Sequence, residues 1–175
     1  MQKLYYFVSV ILFALTANAQ VFNQSISDKI QKVDSVLNQL IVYENIGTKP
    51  TGSPALVETL QWITNKYRFY GYAPVIDTFK IGSNESYNII IEKQGTNPNK
   101  WIIIGAHYDS VDESPGANDN GSGVVATLQI ARIIKDLIPK IGVRIINFGA
   151  EEQGFIGSSH YVKNKLLTSD SILLM

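Results

Sequence analysis

Two short runs leave this chain little freedom. Trp101 to Ala106 is continuously apolar, and Val143 to Phe148 is nearly so, with only Arg144 and Asn147 interrupting it. Runs of this length and composition read as strands buried on both faces. Between them, from about Gly121 to Leu137, Val124, Leu128, Ala131 and Ile134 recur at helical spacing. Strand, helix, strand is the pattern of a parallel pair joined by a crossover helix. A short helix from Ile156 to Lys165 and a further apolar segment, Ser171 to Met175, extend the alternation. The expected architecture is α/β, with a mostly parallel sheet covered by helices. In such sheets, ligands sit beyond the carboxyl ends of the strands.

The residues before this unit carry signals of their own. Ser25 or Ser27 is placed to cap a helix running to about Asn45, with Ile26, Ile30, Val33, Leu37, Leu40 and Ile41 forming one apolar stripe. Gly47 to Pro54 is rich in turn residues. Ser53-Pro54 then gives an N-cap followed by proline at the first helical position. The helix that follows carries Leu56, Leu60, Ile63 and Tyr67 on one face and ends at Gly71. Val75 to Ile81 alternates, with Asp77 and Lys80 between apolar residues, as a half-exposed strand does. Tyr87 to Ile91 reads as another strand, and Gly95 to Asn99 as a turn.

The first nineteen residues are expected to lie outside the fold. Lys3 is followed by an apolar run from Leu4 to Leu15 and then by Ala17-Asn18-Ala19, the layout of a secretory signal with its cleavage site. The run is shorter than the ~20 residues a membrane span needs. The expected organisation is a signal peptide over 1–19 and one domain of ordinary size over 20–175, exported to the periplasm or outside the cell, with no stable membrane anchor. Lys plus Arg and Asp plus Glu number 15 each, so no basic footprint points to nucleic acid. Cysteine is absent. That excludes a thiol nucleophile, disulfides and thiolate metal sites, so any metal must be held by His, Asp or Glu.

Three polar segments fall where the parallel-sheet rule puts a ligand. The first buried strand ends in Gly105-Ala106-His107-Tyr108-Asp109-Ser110. The second ends in Phe148-Gly149-Ala150-Glu151-Glu152-Gln153-Gly154. Between them, Pro115-Gly116-Ala117-Asn118-Asp119-Asn120-Gly121-Ser122-Gly123 opens the helix. Asp109, two residues after His107, shares a side with it on extended backbone and is suited to hold the second ring nitrogen. Asp119 stands at a helix start, where aspartate commonly caps; its two oxygens could equally serve two metal ions. Glu151 and Glu152 point in different directions. One can therefore ligate a metal while its neighbour stays free as a base.

GAHYDS, GANDNGSGV and FGAEEQGFIGSSHYV, in this order, resemble the motifs of the co-catalytic zinc aminopeptidase family, which has relatives among glutaminyl cyclases. The resemblance spans roughly residues 50–175. It implies a three-layer helix–sheet–helix zinc-exopeptidase fold, two zinc ions, and peptide substrates with a free N-terminus. It assigns His107 to one zinc, Asp119 to both, Glu152 to the other, Glu151 as general base and Asp109 as the group orienting His107. It also implies a cis peptide between Asp119 and Asn120. The family uses a further aspartate and a further histidine, which this stretch does not contain. The expectation is thus three of five ligands here, with the stretch inactive by itself. A cyclase-like enzyme and an inactive remnant are the alternatives. His160 falls on a helix at a position the family does not use as a ligand.

Overall fold

A computed structural model describes residues 36–175 together with Gln24, Ser27 and Asp28. The leader at 1–19, and Ile26, Ile30 and Val33 of the first apolar stripe, lie outside these residues. Residues 1–32 and 33–175 form separate compact units. In the former, Gln24 Nε2 donates to Asp28 Oδ1 at 2.6 Å, one helical turn on.

The larger unit is built on helices α1 (Val36–Asn45) and α2 (Pro54–Phe69), strands β1 (Val75–Ile81), β2 (Asn84–Lys93) and β3 (Asn97–His107), helix α3 (Ser122–Ile134), strand β4 (Ile141–Phe148), helix α4 (Ile156–Asn164) and strand β5 (Ser171–Leu174). The five strands lie in the order β1-β2-β4-β3-β5. The sheet is mixed. β4, β3 and β5 run parallel, as the strand–helix–strand pattern requires, whereas β1–β2 and β2–β4 pair antiparallel. The antiparallel hairpin arises because β1 and β2 are joined by a tight turn at Ile81 to Asn84, with Gly82 at φ 58°.

Helices cover both faces of this sheet. Along β4, Ile145 faces one core with Ile89, Ile91 and Ala106 beneath Tyr43, Ile63 and Leu128 of the three helices α1, α2 and α3. Ile146, pointing the other way, packs with Ile90, Ile103 and Phe148 against Tyr161 of α4. Each fully buried aliphatic or aromatic side chain here contributes about 1.5–3 kcal/mol. The two polar residues inside β4 are both satisfied. Asn147 accepts from the Tyr67 hydroxyl at 2.6 Å and donates to Thr127 Oγ1 at 2.9 Å. Arg144 lies over the Trp101 ring and bonds Glu92, Tyr161 and Asp170.

α2 begins as its sequence predicts, with Ser53 Oγ accepting from Leu56 N at 3.1 Å and Pro54 at the first turn. α1 departs from expectation. Its buried residues are Gln39 and Tyr43, while Leu37 is 68% exposed and Ile41 also faces outward. The helix is oriented by the Tyr43 ring, which lies against Gly121 and sends its hydroxyl to the Tyr108 carbonyl. β1 departs too. Asp77 lies on the buried face beside Phe79, because His160 and Lys165 reach over from α4 and the segment after it. The segment expected as a turn before Trp101 is strand from Asn97 onward, with a bulge and a left-handed Asn99 at φ 61°.

Candidate metal centre

The parallel register sets His107 beside Phe148, so the carboxyl ends of β3 and β4 lie next to each other. The chain leaves both strands at the same level. Tyr108 N donates to the Phe148 carbonyl at 2.9 Å, and Glu152 N donates to Asp109 Oδ2 at 3.1 Å. These two bonds tie the His107 segment to the Glu151–Glu152 segment. Ala150 takes φ 54° and Phe155 φ 60°, so the chain turns sharply through the acidic pair before entering α4.

Asp119 arrives from the third segment. It sits in a π-type turn, Ala117–Gly121, at a non-helical φ of −113° and ψ of 95°, and its peptide bond to Asn120 is cis. The first-turn N–H of Gly123 in α3 goes to its neighbour instead, with Asn120 Oδ1 accepting at 3.1 Å, just ahead of the N-cap Gly121. Asp119 is left free to face His107. Gly123 is required there, since a Cβ would overlap the Asn120 side chain and meet the Ala106 methyl at 3.0 Å.

His107 is the hub. Its ring is mostly buried. Nε2 lies 2.9 Å from Asp119 Oδ1 and 3.7 Å from Glu151 Oε2. Nδ1 lies 3.3 Å from the Asp109 carbonyl oxygen and 3.5 Å from Asp109 Oδ1. Glu152 joins His107 and Glu151 in a group whose ligand atoms fall within 4.8 Å of one another. All five residues singled out in the sequence therefore meet at one place: His107, Asp109, Asp119, Glu151 and Glu152. His160 goes elsewhere. It stacks on Phe79 at 4.9 Å between ring centroids, and its Nε2 lies 3.2 Å from Asp77 Oδ1.

The charges do not balance. Four carboxylates surround one imidazole. Burial alone would lower the His107 pKa, but Asp109, then Glu151 and Asp119, carry it from 6.5 up to about 9. Burial, followed by repulsion from Asp119, Glu151 and Asp109 against the pull of His107, holds the Glu152 carboxyl above its ordinary value. Asp109 is 1% exposed, and its Oδ1 has no hydrogen-bond partner. At 3.5 Å from Nδ1, that oxygen attracts the ring without closing a good hydrogen bond. Nitrogen and oxygen donors converging with excess negative charge fit one or more divalent cations, and no sulfur ligand is needed.

Other residues shape this place, and sequence reasoning passed over them. Asn88, on β2, donates to the Gly157 carbonyl at 2.9 Å and accepts from Gly149 N at 3.3 Å, bracing the turn that carries Glu151 and Glu152. Asn120 takes the first-turn N–H of α3 that a capping Asp119 would have taken. A polar residue inside the apolar run of β2 was the one available signal for Asn88.

The fold agrees with the comparisons. Residues 88–175 match the model of Peptidase family M28, and the chain belongs to that family. It is 49% identical over 80 residues to an aminopeptidase of Pseudomonas aeruginosa strain PAO1, covering 46% of this chain and 15% of that protein. It is 34% identical over 139 residues to leupeptin-inactivating enzyme 1 of Streptomyces exfoliatus, covering 77% of this chain and 32% of the relative. Among solved structures, a zinc aminopeptidase from Bacillus subtilis superposes with a TM-score of 0.70 at 20% identity, over 78% of this chain and 65% of the other. Glutaminyl cyclase from Porphyromonas gingivalis gives 0.71 at 22%, over 81% and 56%. At these identities the two superpositions establish a shared α/β fold alone. The chain spans less than a third of the length of the two curated relatives named here.

Proposed function

We propose that this chain carries part of the active site of a metal-dependent aminopeptidase that removes N-terminal residues from peptides. The observation that carries the reading is the convergence of His107, Asp119, Glu151 and Glu152 on adjacent strand ends, with more negative charge than one imidazole can neutralise. The similarity to proteins named aminopeptidases supports the choice of reaction. In this reading His107, Asp119 and Glu152 hold the metal, and zinc, two ions per complete site, is the assignment. Zinc, when bound, supplies Lewis-acid polarisation of the scissile carbonyl and acidifies the attacking water.

The chain's own groups do the rest. Glu151 is partly exposed and takes the proton from water, then delivers it to the departing amine. Asp109 positions His107 through the Nδ1 side of the ring. In this reading the substrate is a peptide with a free N-terminus, as the similarity to proteins named aminopeptidases suggests. Export by the leader at 1–19 belongs to the same proposal.

The test uses the full-length protein. Glu151→Gln should lower the release of free amino acids by about 10²–10⁴-fold with metal content unchanged. Wild-type turnover in that variant would remove Glu151 from the chemistry. Ring closure of N-terminal glutamine, without amino-acid release, would instead assign the protein to the cyclase branch.

A further inference from the structure

Lys49 is fully buried, and the chemistry above does not use it. Its ammonium group has three protons, and three acceptors surround it. Nζ donates to the Gly47 carbonyl at 2.6 Å and to the Pro115 carbonyl at 2.9 Å, and it lies 4.0 Å from the centroid of the Tyr43 ring. None of the three is a carboxylate. Taking a cation out of water on such terms is costly, and the cost shows: burial, opposed by Glu44, lowers the Lys49 pKa from 10.5 to about 8.

What the cation joins explains its place. Lys49 N donates to Ser110 Oγ at 2.9 Å, and Ser110 N donates back to the Lys49 carbonyl at 3.3 Å. Ser110 closes the segment that carries His107 and Asp109. Pro115 opens the segment that carries Asp119. Between Pro115 and Asp119 the chain has little slack. Gly116 takes φ 67°, and a Cβ on it would stand 2.6 Å from the Asp119 carbonyl oxygen and 2.8 Å from Ser110 Cβ. Gly121 N donates to the Gly116 carbonyl at 2.8 Å, closing the turn. A shift of Pro115 is therefore passed to Asp119 by direct contact. Tyr43 completes the frame, with its hydroxyl on the Tyr108 carbonyl at 3.0 Å and its ring against Gly121. Pro50 and Thr51, the next two residues after Lys49, line a groove of about 220 Å³ with Asp109 and Glu152.

We infer that Lys49 is a positioning residue for the metal centre: its buried side chain, held over Tyr43, fixes the Asp119 segment against the His107–Ser110 segment. The inference rests on the metalloenzyme reading. It assigns to a lysine, in a turn, control over the separation of two ligands that it does not touch.

The experiment compares Lys49→Met, which keeps the stem and removes the donors, with Arg144→Met, which removes a buried cation from the other end of β4. Zinc affinity is read in the full-length protein by competition with a chromophoric chelator, and the visible spectrum is read after cobalt substitution. Lys49→Met should lose about 10–100-fold in affinity, with a changed cobalt spectrum. Arg144→Met should lose stability and keep both. Should Lys49→Met fail to fold, Lys49→Arg takes its place. Its planar fork cannot set a single nitrogen against two carbonyls and a ring, so the same losses are expected. Wild-type affinity and spectrum in a folded Lys49 variant overturn the inference alone. A wild-type protein that binds no divalent metal overturns the metalloenzyme reading and this inference with it.

Discussion

The two ends of β4 handle buried charge in opposite ways. In its first half, Arg144 is a cation built into the chain. Its Nε bonds Glu92 at 2.7 Å, and its Nη1 bonds Asp170 at 2.8 Å and the Tyr161 hydroxyl at 2.7 Å. The surrounding carboxylates have a permanent partner, and attraction to them outweighs the cost of burial, holding the guanidinium pKa above its ordinary value. At the far end, Asp109, Asp119, Glu151 and Glu152 share a single histidine, and one buried carboxylate oxygen has no hydrogen-bond partner. A closed network serves stability. An open one serves a cation that comes and goes, because a charge the chain supplied itself would occupy the position.

The comparison breaks most easily at the closed end. Arg144→Met leaves the Asp170 carboxylate, whose side chain is 3% exposed, without its counter-charge. Stripping one partner from a buried pair costs about 3–5 kcal/mol, which a denaturant titration reads directly. Metal binding at the open end should be unaffected. A variant that lost metal as well as stability would show that the two ends are not independent.

Much of the open end could be read from the sequence, and most of the closed end could not. His107, Glu151 and Glu152 follow apolar runs, so their positions are set by where strands stop, which local composition reveals. Ser53 capping α2 is equally local. Arg144 was hidden inside such a run, and its partners lie 52 residues before it and 17 and 26 residues after it. The inward turn of Gln39 and Tyr43 on α1 failed for the same reason. The tyrosine's anchor lies 65 residues away, and a long-range hydrogen bond overrode the apolar stripe. Which face of β1 carries Asp77 was not legible, because alternation gives the period of a strand but not which face is covered. The order β1-β2-β4-β3-β5 likewise depends on β4 inserting between β2 and β3, which no local pattern encodes.

Filling the open end should sharpen the contrast. A divalent metal at 100 times its dissociation constant should raise the unfolding free energy by about 2.7 kcal/mol, with no counterpart at the closed end. Protons must move as well. The metal-free fold raises the His107 pKa from 6.5 to about 9, so this group's stabilisation is complete below 6.5 and is lost as pH rises through 9. A metal takes the neutral ring and must expel that proton. Between those two values, binding should release a proton, and affinity should climb with pH. Calorimetric titration in two buffers of different ionisation enthalpy measures the release. Binding without it would place the metal away from His107.

The smallest expected effect discriminates most finely. Asp109→Asn keeps an oxygen for Glu152 N but puts an amide where a carboxylate faces His107 Nδ1. The ring loses the negative group that makes it a better ligand, and metal affinity should fall by about 10–100-fold. Without metal and above pH 9, where His107 is neutral, the same change removes a buried charge whose Oδ1 had no hydrogen-bond partner, so there the empty fold should be no less stable than the wild type. Opposite responses in the two states are the mark of a group kept for a ligand. If Asp109→Asn destabilised the metal-free protein as Arg144→Met does, Asp109 would be a structural partner of the same kind, and the two ends of β4 would differ only in degree.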